Sequence, residues 1–367
     1  MNRGQDLVLL TGATGHVGYA VLVKALEAGY NVRVILRDMS RADAILSSGP
    51  VQKTLSTKNL DLSFVHVPDF TAPDAFGLVL SNVTHVVHVA SALRRGTSTN
   101  LKEAIIDVAV EGTRNILRAA QNCTSVRRVV ITSSTSAIVD QHPVASQSPA
   151  ARCITPLDRH ADYDAEFYKG NSLKAYTAAK TAALNATDDF LATAGGGRTT
   201  SPLHFDVINI MPSSMFGPKG LAATPVDVMN GSNIFGIGLV MRHKPWDGMR
   251  LEAVCCHVDD VAQVHVNALD EHERLPLKVG THRDFILGVK FKPEEVREIV
   301  RSRFPRELWE SESATFGARG TYEWYHTDYD VGSAEGLLGR PFKGLEEQIY
   351  DSGRQVVGML KGLTTRS

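Results

Sequence analysis

The sequence has little of what marks membrane, secreted or nucleic-acid-binding proteins. Its 367 residues include four cysteines, and no apolar run approaches the roughly 20 residues that span a bilayer. Lysine plus arginine number 39 and aspartate plus glutamate 40, so the formal net charge is -1. Nucleic-acid-binding proteins usually carry a basic excess. We therefore expect no nucleic-acid partner and no membrane partner.

The amino-terminal residues and the cysteines favour a cytoplasmic protein. The apolar run at residues 7–10 is too short for the apolar core of a signal peptide. The cysteines lack metal-ligand spacing, so buried free thiols in a reducing compartment are the simpler interpretation. They are Cys123, Cys153, Cys255 and Cys256.

One group of histidines and aspartates could be drawn as a metal site. His257, Asp259, Asp260 and His265 lie close together in the sequence, after a predicted strand. A corner between a strand and a helix explains them more simply, with Asp259 or Asp260 capping the helix. We therefore expect no metal.

Short apolar strands alternate with helical segments through the amino-terminal half. Strands that are apolar on consecutive residues, as at Leu7–Thr11 and Arg127–Thr132, are typical of a parallel sheet covered on both faces. With right-handed crossovers, this predicts an α/β protein with a doubly wound parallel sheet of the Rossmann type. The local pattern also predicts a helix at 40–46, ended by the Ser-Ser-Gly-Pro of 47–50, and a short helix at 73–80.

The pattern loosens after Pro212, where glycines interrupt it. We expect residues 1–211 to form the sheet domain, with contributions from 251–272 and 283–290. Residues 212–367 then form a smaller carboxy-terminal lobe that is interleaved with the sheet domain. The segment 137–171 is rich in Pro, Asp, Ser and His and predicts an ordered loop or lid.

A glycine-rich turn, Thr-Gly-Ala-Thr-Gly-His-Val-Gly at 11–18, joins the first strand to the first helix. Gly12 would permit a tight turn, Gly15 would let a pyrophosphate approach the backbone, and Gly18 would let helix and strand pack closely. The helix amino terminus adds free N–H groups and a positive dipole end. We predict a dinucleotide site that includes Thr11, Gly12, Thr14, Gly15, His16, Val17 and Gly18.

The end of the second predicted strand bears on the choice of nicotinamide cofactor. NAD-binding proteins commonly place an acid there to hold the ribose 2′-hydroxyl. Here Arg37 follows Leu36, and a guanidinium can bind a 2′-phosphate through two hydrogen bonds. Arg41 lies one helical turn further on and could assist. NADP is the favoured cofactor, although Asp38, with the register shifted by one residue, could serve as the acid of an NAD site.

A tyrosine and a lysine carry the predicted acid–base chemistry. Tyr176 and Lys180 are four residues apart on a predicted helix, so their side chains point the same way. An ammonium close to a tyrosine lowers the pKa of its hydroxyl from about 10. The strand at 127–132 ends in a run of hydroxyl residues at 132–136. A serine there can donate a hydrogen bond to a substrate carbonyl.

With these motifs in this order, the chain resembles the extended short-chain dehydrogenases/reductases over nearly its whole length. It is most similar to the branch that contains dihydroflavonol reductases, cinnamoyl-CoA reductases and fungal aldehyde and ketone reductases. The matching stretches are TGATGHVG at 11–18, VRVILRD at 32–38, PDF at 68–70, HVAS at 88–91, AVEGTRN at 109–115, VVITSS at 129–134, MPSSMFGP at 211–218 and HVDDVA at 257–262.

The resemblance implies further cofactor contacts: two residues beside the adenine, two after the fourth strand and three beside the nicotinamide. These are Asp69, Phe70, Ala90, Ser91, Pro212, Ser213 and Ser214. By position, Ser134 matches the catalytic serine better than Ser133 does, and Tyr176 and Lys180 complete the catalytic set. Ala109 stands where sugar-nucleotide epimerases and dehydratases usually carry asparagine, which favours a reductase.

The favoured function is the NADPH-dependent reduction of a ketone or aldehyde to an alcohol. Tyr176 would protonate the substrate oxygen, Ser134 would polarise it, and Lys180 would assist Tyr176 and hold the ribose. One alternative is an epimerase or dehydratase of a sugar nucleotide, which Arg37 and Ala109 disfavour. Another is a regulator that senses NADP without turnover, which the intact catalytic residues disfavour.

The substrate, a small-molecule carbonyl compound, is expected between the carboxyl end of the sheet and the carboxy-terminal lobe. The expected walls are the residues after Ala90, the 137–171 loop and the stretch 213–216. No cluster of arginine or lysine marks a pocket for an anion there, so we expect a neutral, medium-sized, partly hydrophobic compound. We expect a monomer or homodimer. The residues expected to contact substrate are Leu93, Ser134, Phe167, Met215 and Phe216.

Overall fold

The computed structural model describes residues 5–91, 100–141, 152–196, 203–237, 250–277, 279–306 and 323–364. Its strands are β1 (Leu7–Thr11), β2 (Asn31–Leu36), β3 (Leu62–His66), β4 (His85–His88), β5 (Arg128–Thr132), β6 (Asp206–Pro212), β7 (Ser214–Phe216), β8 (Arg250–Glu252), β9 (Val254–His257), β10 (His282–Leu287), β11 (Val289–Lys290) and β12 (Glu323–Tyr325). Seven of them form the main sheet, in the order β10-β6-β5-β4-β1-β2-β3.

Helices cover both faces of this sheet. The helices of the described residues are α1 (His16–Glu27), α2 (Ala42–Leu46), α3 (Gly49–Thr57), α4 (Val108–Gln121), α5 (Ala165–Tyr168), α6 (Ser172–Gly196), α7 (Pro225–Met229), α8 (Val258–Ala268), α9 (Pro293–Arg303), α10 (Gly332–Leu338) and α11 (Leu345–Thr364). A π-helical stretch, Lys102–Asp107, precedes α4. Helices α1 and α8 pack together on one face, and α4 packs with α6 on the other.

Every strand pair in the main sheet is parallel. The central strands are buried along their whole length: all five residues of β5 and all seven of β6 are buried. This follows from strands that are apolar on consecutive residues, since side chains on both faces meet a helical layer. The prediction of a doubly wound α/β fold is confirmed.

The strand order reverses between β1 and β4, which are neighbours in the main sheet. The chain runs outward from β1 through β2 to β3, then crosses back to β4 and continues the other way. The connections after β1 and β4 therefore leave the carboxyl edge of the sheet in opposite directions and open a crevice. Open α/β sheets bind ligands at such a point.

The chain after residue 212 builds a second core and also returns to the main sheet. Strands β11, β9 and β7 form a three-stranded sheet, and β12 pairs with β8. A separate apolar cluster that includes Phe216, Phe291 and Ile349 lies beneath α9 and α11. Strand β10 nevertheless joins the main sheet beside β6, and α8 packs on α1.

One local prediction was wrong, and one helix was missed. Helix α2 ends at Leu46 with Ser47 as its carboxy-terminal cap, as predicted, but a further helix, α3, begins at Gly49 with Pro50 at a first-turn position that suits its fixed φ. The segment 73–80 forms turns, with only a short 3₁₀ helix at Leu78–Leu80. Asp74 has a φ of 56°, a left-handed conformation that a helix does not accommodate.

Candidate active site

The glycine-rich turn is packed too tightly for side chains at two of its glycines. Gly12 has a φ of +78°, and a Cβ there would lie 2.8 Å from the backbone nitrogen of Ala90. A Cβ on Gly18 would lie 2.1 Å from the carbonyl oxygen of Gly12. The turn therefore lies directly against the end of β4 and against the first turn of α1.

The ends of β1 and β4 are joined by side-chain hydrogen bonds across the crevice. The Thr11 hydroxyl is 3.0 Å from Nδ1 of His88 and accepts a 3.0 Å hydrogen bond from the Ala90 N–H. Burial, with a smaller contribution from Lys180, lowers the pKa of His88 to about 4. His88 is thus neutral at physiological pH. The sequence analysis named His88 only within a matching stretch; a histidine at the last position of a buried strand was the available signal.

The amino terminus of α1, with the backbone N–H groups of its first turn, lies at this crevice. Gly15 caps the helix in an extended conformation without a side-chain hydrogen bond. Thr14 is partly exposed and Val17 is buried. The His16 ring binds the carbonyl of Pro218 at 3.1 Å, and burial lowers its pKa to about 4.

These features fit a dinucleotide phosphate. An anion can approach the backbone N–H groups of an uncapped helix start where glycine leaves no side chain in the way. The crevice lies at the reversal of strand order, where the fold leads us to expect such a ligand.

The end of the crevice at β2 and β3 is open to solvent. Arg37 and Arg41 are both exposed. The carboxylate of Asp38 accepts hydrogen bonds from the backbone N–H and the hydroxyl of Ser40, at 3.0 and 2.7 Å, and these bonds lower its pKa. Asp38 therefore caps the short helical turn that begins at Met39.

Asp69 and Phe70 follow β3 at the same end. The Asp69 carboxylate accepts hydrogen bonds from the N–H and hydroxyl of Thr71. The Phe70 ring lies 5.6 Å from that of Phe76 and 6.3 Å from that of His88, measured between centroids. Phe70 thus spans the distance from the exposed rim to the buried end of β4.

The structure brings Ser134, Tyr176 and Lys180 together beyond the end of β5. The Lys180 ammonium donates a 2.8 Å hydrogen bond to the carbonyl of Thr132 and lies 5.9 Å from the centroid of the Tyr176 ring. Ser134 is buried, and its hydroxyl oxygen accepts the Ser136 N–H at 3.1 Å. The Ser134 side chain favours the phenolate form of Tyr176.

The pKa values in this group differ from the simple expectation. Burial raises the pKa of Tyr176, and the Ser134 side chain only partly opposes this. Burial also lowers the pKa of Lys180 to about 8. The expected depression of the Tyr176 pKa by Lys180 is therefore absent from the free protein, because desolvation dominates for both groups. Tyr176 is protonated at neutral pH and can act as an acid.

Pro212, Ser213 and Ser214 lie where the main sheet meets the second lobe. Pro212 ends β6 beside Leu287, and the Ser213 N–H donates to the carbonyl of Leu287 at 2.9 Å. Among the described residues, the buried Ser213 hydroxyl has no hydrogen-bond partner. Ser214 begins β7 and is partly exposed.

The residues expected to contact substrate have different environments. Met215 is partly exposed, whereas Phe216 is 1% exposed and packs against Phe291, so Phe216 belongs to the core of the second lobe rather than to a wall. Phe167 stacks on Tyr163 at 3.9 Å between centroids. Ser91 is exposed. Leu93 and residues 142–151 of the expected lid lie outside the described residues.

The predicted corner between a strand and a helix lies between β9 and α8, but its capping residue differs from the prediction. His257 itself caps α8, because its Nδ1 accepts the Asp259 N–H at 3.0 Å. Asp260 instead binds the guanidinium of Arg340 and the N–H of Lys343. In the part of the chain that the structure describes, no group of three or more His, Cys, Asp or Glu side chains is arranged to hold a metal. Within the same residues, no helix has the length and apolarity needed to cross a membrane.

Known proteins share this fold and these motifs. The family model described as "NAD dependent epimerase/dehydratase family" matches residues 8–280. The chain belongs to this family of NAD(P)-dependent oxidoreductases, the extended short-chain dehydrogenases/reductases.

Some similar proteins are named epimerase/dehydratases and others are named ketoreductases. The chain is 87% identical, over all 367 residues and the full length of both proteins, to "NAD-dependent epimerase/dehydratase FUM13" of Gibberella moniliformis. It is 29% identical to "Ketoreductase CTB6" of Cercospora nicotianae, over 95% of this chain and 94% of that protein. A crystal structure of Gre2 from Candida albicans, in complex with NADPH, has a TM-score of 0.74 at 23% identity, over 96% of this chain and 99% of that one. The structural likeness supports the fold.

Proposed function

We propose that this protein is an NADPH-dependent carbonyl reductase, which converts a ketone or aldehyde to an alcohol. The observation that carries the proposal is the grouping of Ser134, Tyr176 and Lys180 beyond β5, beside the reversal of strand order. The ketoreductase name of the Cercospora relative supports it.

The three side chains have separate tasks in this proposal. Tyr176, kept protonated by burial, donates its hydroxyl proton to the substrate oxygen. Ser134 donates a hydrogen bond to the same oxygen, which gains negative charge as the carbonyl is reduced. The Lys180 ammonium stabilises the phenolate that Tyr176 becomes and can donate to ribose hydroxyls. The bound nicotinamide supplies the hydride.

The dinucleotide would be held by residues along the crevice. Thr11, the glycine turn and the start of α1 would bind the pyrophosphate, with Thr14, His16 and Val17 contributing backbone or side chain. Asp69 and Phe70 would lie beside the adenine, Ala90 and Ser91 along the cofactor, and Pro212, Ser213 and Ser214 beside the nicotinamide.

The preference for NADP rests on Arg37 and Arg41. Both are exposed at the end of β2, where a 2′-phosphate would lie. Asp38, the alternative acid for NAD, already accepts two hydrogen bonds from Ser40. Both bonds end on Oδ1 and hold the carboxylate against the turn that begins at Met39.

A neutral and partly hydrophobic carbonyl compound remains the proposed substrate class. Met215 offers apolar surface beside Ser214, and the residues after Ala90 and part of the 137–171 loop complete the expected walls. All four cysteines are free thiols, which supports the proposed cytoplasmic location. A monomer or homodimer stays a prediction.

The test is NADPH consumption with a panel of aldehydes, α-diketones, β-keto esters and aromatic ketones. We expect turnover with some neutral carbonyls and with NADPH in preference to NADH. Loss of that turnover in Tyr176→Phe, with NADPH affinity retained, would assign the reaction to this site. No turnover by the unmodified protein with any of the four classes would count against the proposal.

A second candidate is an epimerase or dehydratase of a sugar nucleotide, since the relative that is 87% identical carries that description. Thermal unfolding separates the two candidates. A UDP-sugar that raises the melting temperature more than any neutral ketone would favour the second candidate.

A further inference from the structure

A carboxyl group outside the proposed catalytic set lies at the end of β8. The hydroxyl of Tyr329 donates a 2.7 Å hydrogen bond to Oε1 of Glu252, and the Thr327 side chain lies near the same carboxyl group. Glu252 and Tyr329 are both partly buried. Burial raises the pKa of Glu252, whereas the two hydroxyls oppose that change. Nothing in the proposed reaction uses this pair.

Tyr329 connects Glu252 to the turn that carries Ser134. Burial raises the pKa of its hydroxyl, and the side chain of Thr135, the residue that follows Ser134, opposes that change. Tyr329 packs against the apolar cluster that contains Ala137 and Ile138, which lie in and directly after the same turn. The pair therefore bridges β8, the segment after β12 and the turn at 135–137.

Backbone hydrogen bonds to Ile154 also fix the residues on either side of Tyr329. The N–H of Ile154 donates to the carbonyl of Asp328 at 2.7 Å, and the N–H of Asp330 donates to the carbonyl of Ile154 at 2.8 Å. These bonds place Tyr329 between two fixed neighbours. Its ring and hydroxyl are thus held in a defined position relative to Thr135.

The orientation of the Ser134 hydroxyl depends on this turn. The hydroxyl oxygen of Ser134 accepts a hydrogen bond from the Ser136 N–H. The backbone carbonyl of Ser134 accepts one from the Ala137 N–H at 3.0 Å. With the oxygen engaged by Ser136, the hydroxyl proton remains for an acceptor in the crevice. A shift of the turn would rotate the donor away from the substrate oxygen.

We propose that Glu252 and Tyr329 are positioning residues, which hold the 135–137 turn so that Ser134 can donate to the carbonyl oxygen. The inference rests on the proposed carbonyl reductase. Tyr329 packs against residues of this turn and donates a hydrogen bond to the Glu252 carboxyl group. A group misplaced by about 1 Å can lose about a hundredfold in rate, so a small movement of this turn is sufficient.

The first test is amide hydrogen exchange, which needs no substrate. In Tyr329→Phe we expect faster exchange in peptides that cover 133–138, with unchanged exchange in peptides from α1. Tyr350→Phe, which removes a hydroxyl from a partly exposed ring on α11, is the matched control and should leave both regions unchanged. Unchanged exchange at 133–138 in Tyr329→Phe would overturn the inference, whether or not the protein reduces carbonyls.

The second test is kinetic. In Tyr329→Phe we expect kcat to fall about ten- to hundredfold with the NADPH Kd unchanged, and the isotope effect with NADPH deuterated at C4 to rise, because hydride transfer becomes slower. A merely structural loss of active protein would lower kcat and leave the isotope effect unchanged, and that result would overturn the inference.

Substitutions of Glu252 complete the design. Glu252→Gln keeps an oxygen that can accept from Tyr329 and should retain most of the activity, whereas Glu252→Leu should behave like Tyr329→Phe. Equal activity of the two Glu252 variants would contradict the role of the acceptor. If the unmodified protein reduces no carbonyl, the proposed function fails, and the exchange experiment still decides whether the pair holds the turn.

Discussion

The two ends of the crevice are built differently. At β5 and α6, Ser134 is 6% and Lys180 8% exposed, and both have hydrogen-bond partners inside the protein. After β2, Arg37 and Arg41 are both exposed. One end is thus shaped by packing and desolvation, and the other presents charge to water.

This difference separates two kinds of function. Desolvation raises the pKa of Tyr176 and lowers that of Lys180. The protonation state of each group therefore depends on how the two side chains are buried together. Charges at an exposed rim act through a dielectric close to that of water and are screened by salt. We therefore expect large effects from changes at the buried end and small, salt-dependent effects at the rim.

The largest effect is expected at Tyr176. Tyr176→Phe removes the proposed proton donor and should lower kcat by about a thousandfold, within the range usual for general acids. The NADPH Kd should not change, since the ring remains. Steady-state kinetics and NADPH fluorescence titration measure the two quantities. Tyr350→Phe is the control and should keep full activity; a Tyr176→Phe variant that keeps most of its turnover would contradict the mechanism.

The next effect concerns the stability of the free protein as a function of pH. Lys180 has a pKa of about 8 when folded, and an unfolded lysine has a pKa of about 10.4. Between these values the unfolded chain binds more protons, so this group makes the folded state more stable as pH rises. Lys180→Met removes the buried charge. Its stability relative to the unmodified protein should therefore be greatest below pH 8 and decline by up to about 3 kcal/mol towards pH 10.4.

Urea unfolding of both proteins at about pH 7 and about pH 10 measures this change. Other titrating groups are common to both proteins and cancel in the difference. A difference in unfolding free energy that is the same at both pH values would show that Lys180 does not titrate in this window.

A smaller effect is expected at the glycine turn. Gly18→Ala places a Cβ 2.1 Å from the Gly12 carbonyl oxygen, and relief of that overlap should cost about 1–3 kcal/mol of unfolding free energy and weaken NADPH binding. Gly336→Ala is the matched control. A Cβ at Gly336 meets nothing within 4 Å, and alanine in a helix should add about 0.5–1 kcal/mol of stability. Equal stability of the two variants would contradict the close approach of Gly18 to the Gly12 carbonyl oxygen.

The smallest effect is expected at the exposed rim. Arg37→Ala should weaken NADPH binding about tenfold, or about 1.4 kcal/mol, and leave NADH binding unchanged. The loss should shrink as salt is raised. Titrations of both cofactors at two salt concentrations measure it. Arg118→Ala, at an exposed position on α4, controls for net charge. Equal affinity of the unmodified protein for NADPH and NADH would contradict the assignment of Arg37.

The sequence alone determined those features that are set by residues close together in the chain. A glycine at 12 with positive φ, apolar residues along β5 and the spacing of Tyr176 and Lys180 each follow from local backbone geometry. They were sufficient to predict the sheet, the turn and the grouping of three side chains.

Only the tertiary structure decided features that depend on distant partners. The burial of Phe216 follows from its packing against Phe291, and the bond from Tyr329 to Glu252 spans 77 positions of the chain. The raised pKa of Tyr176 results from desolvation by the whole fold, which no local spacing reveals. Packing decides which polar groups lose water, and loss of water sets their pKa values and partners.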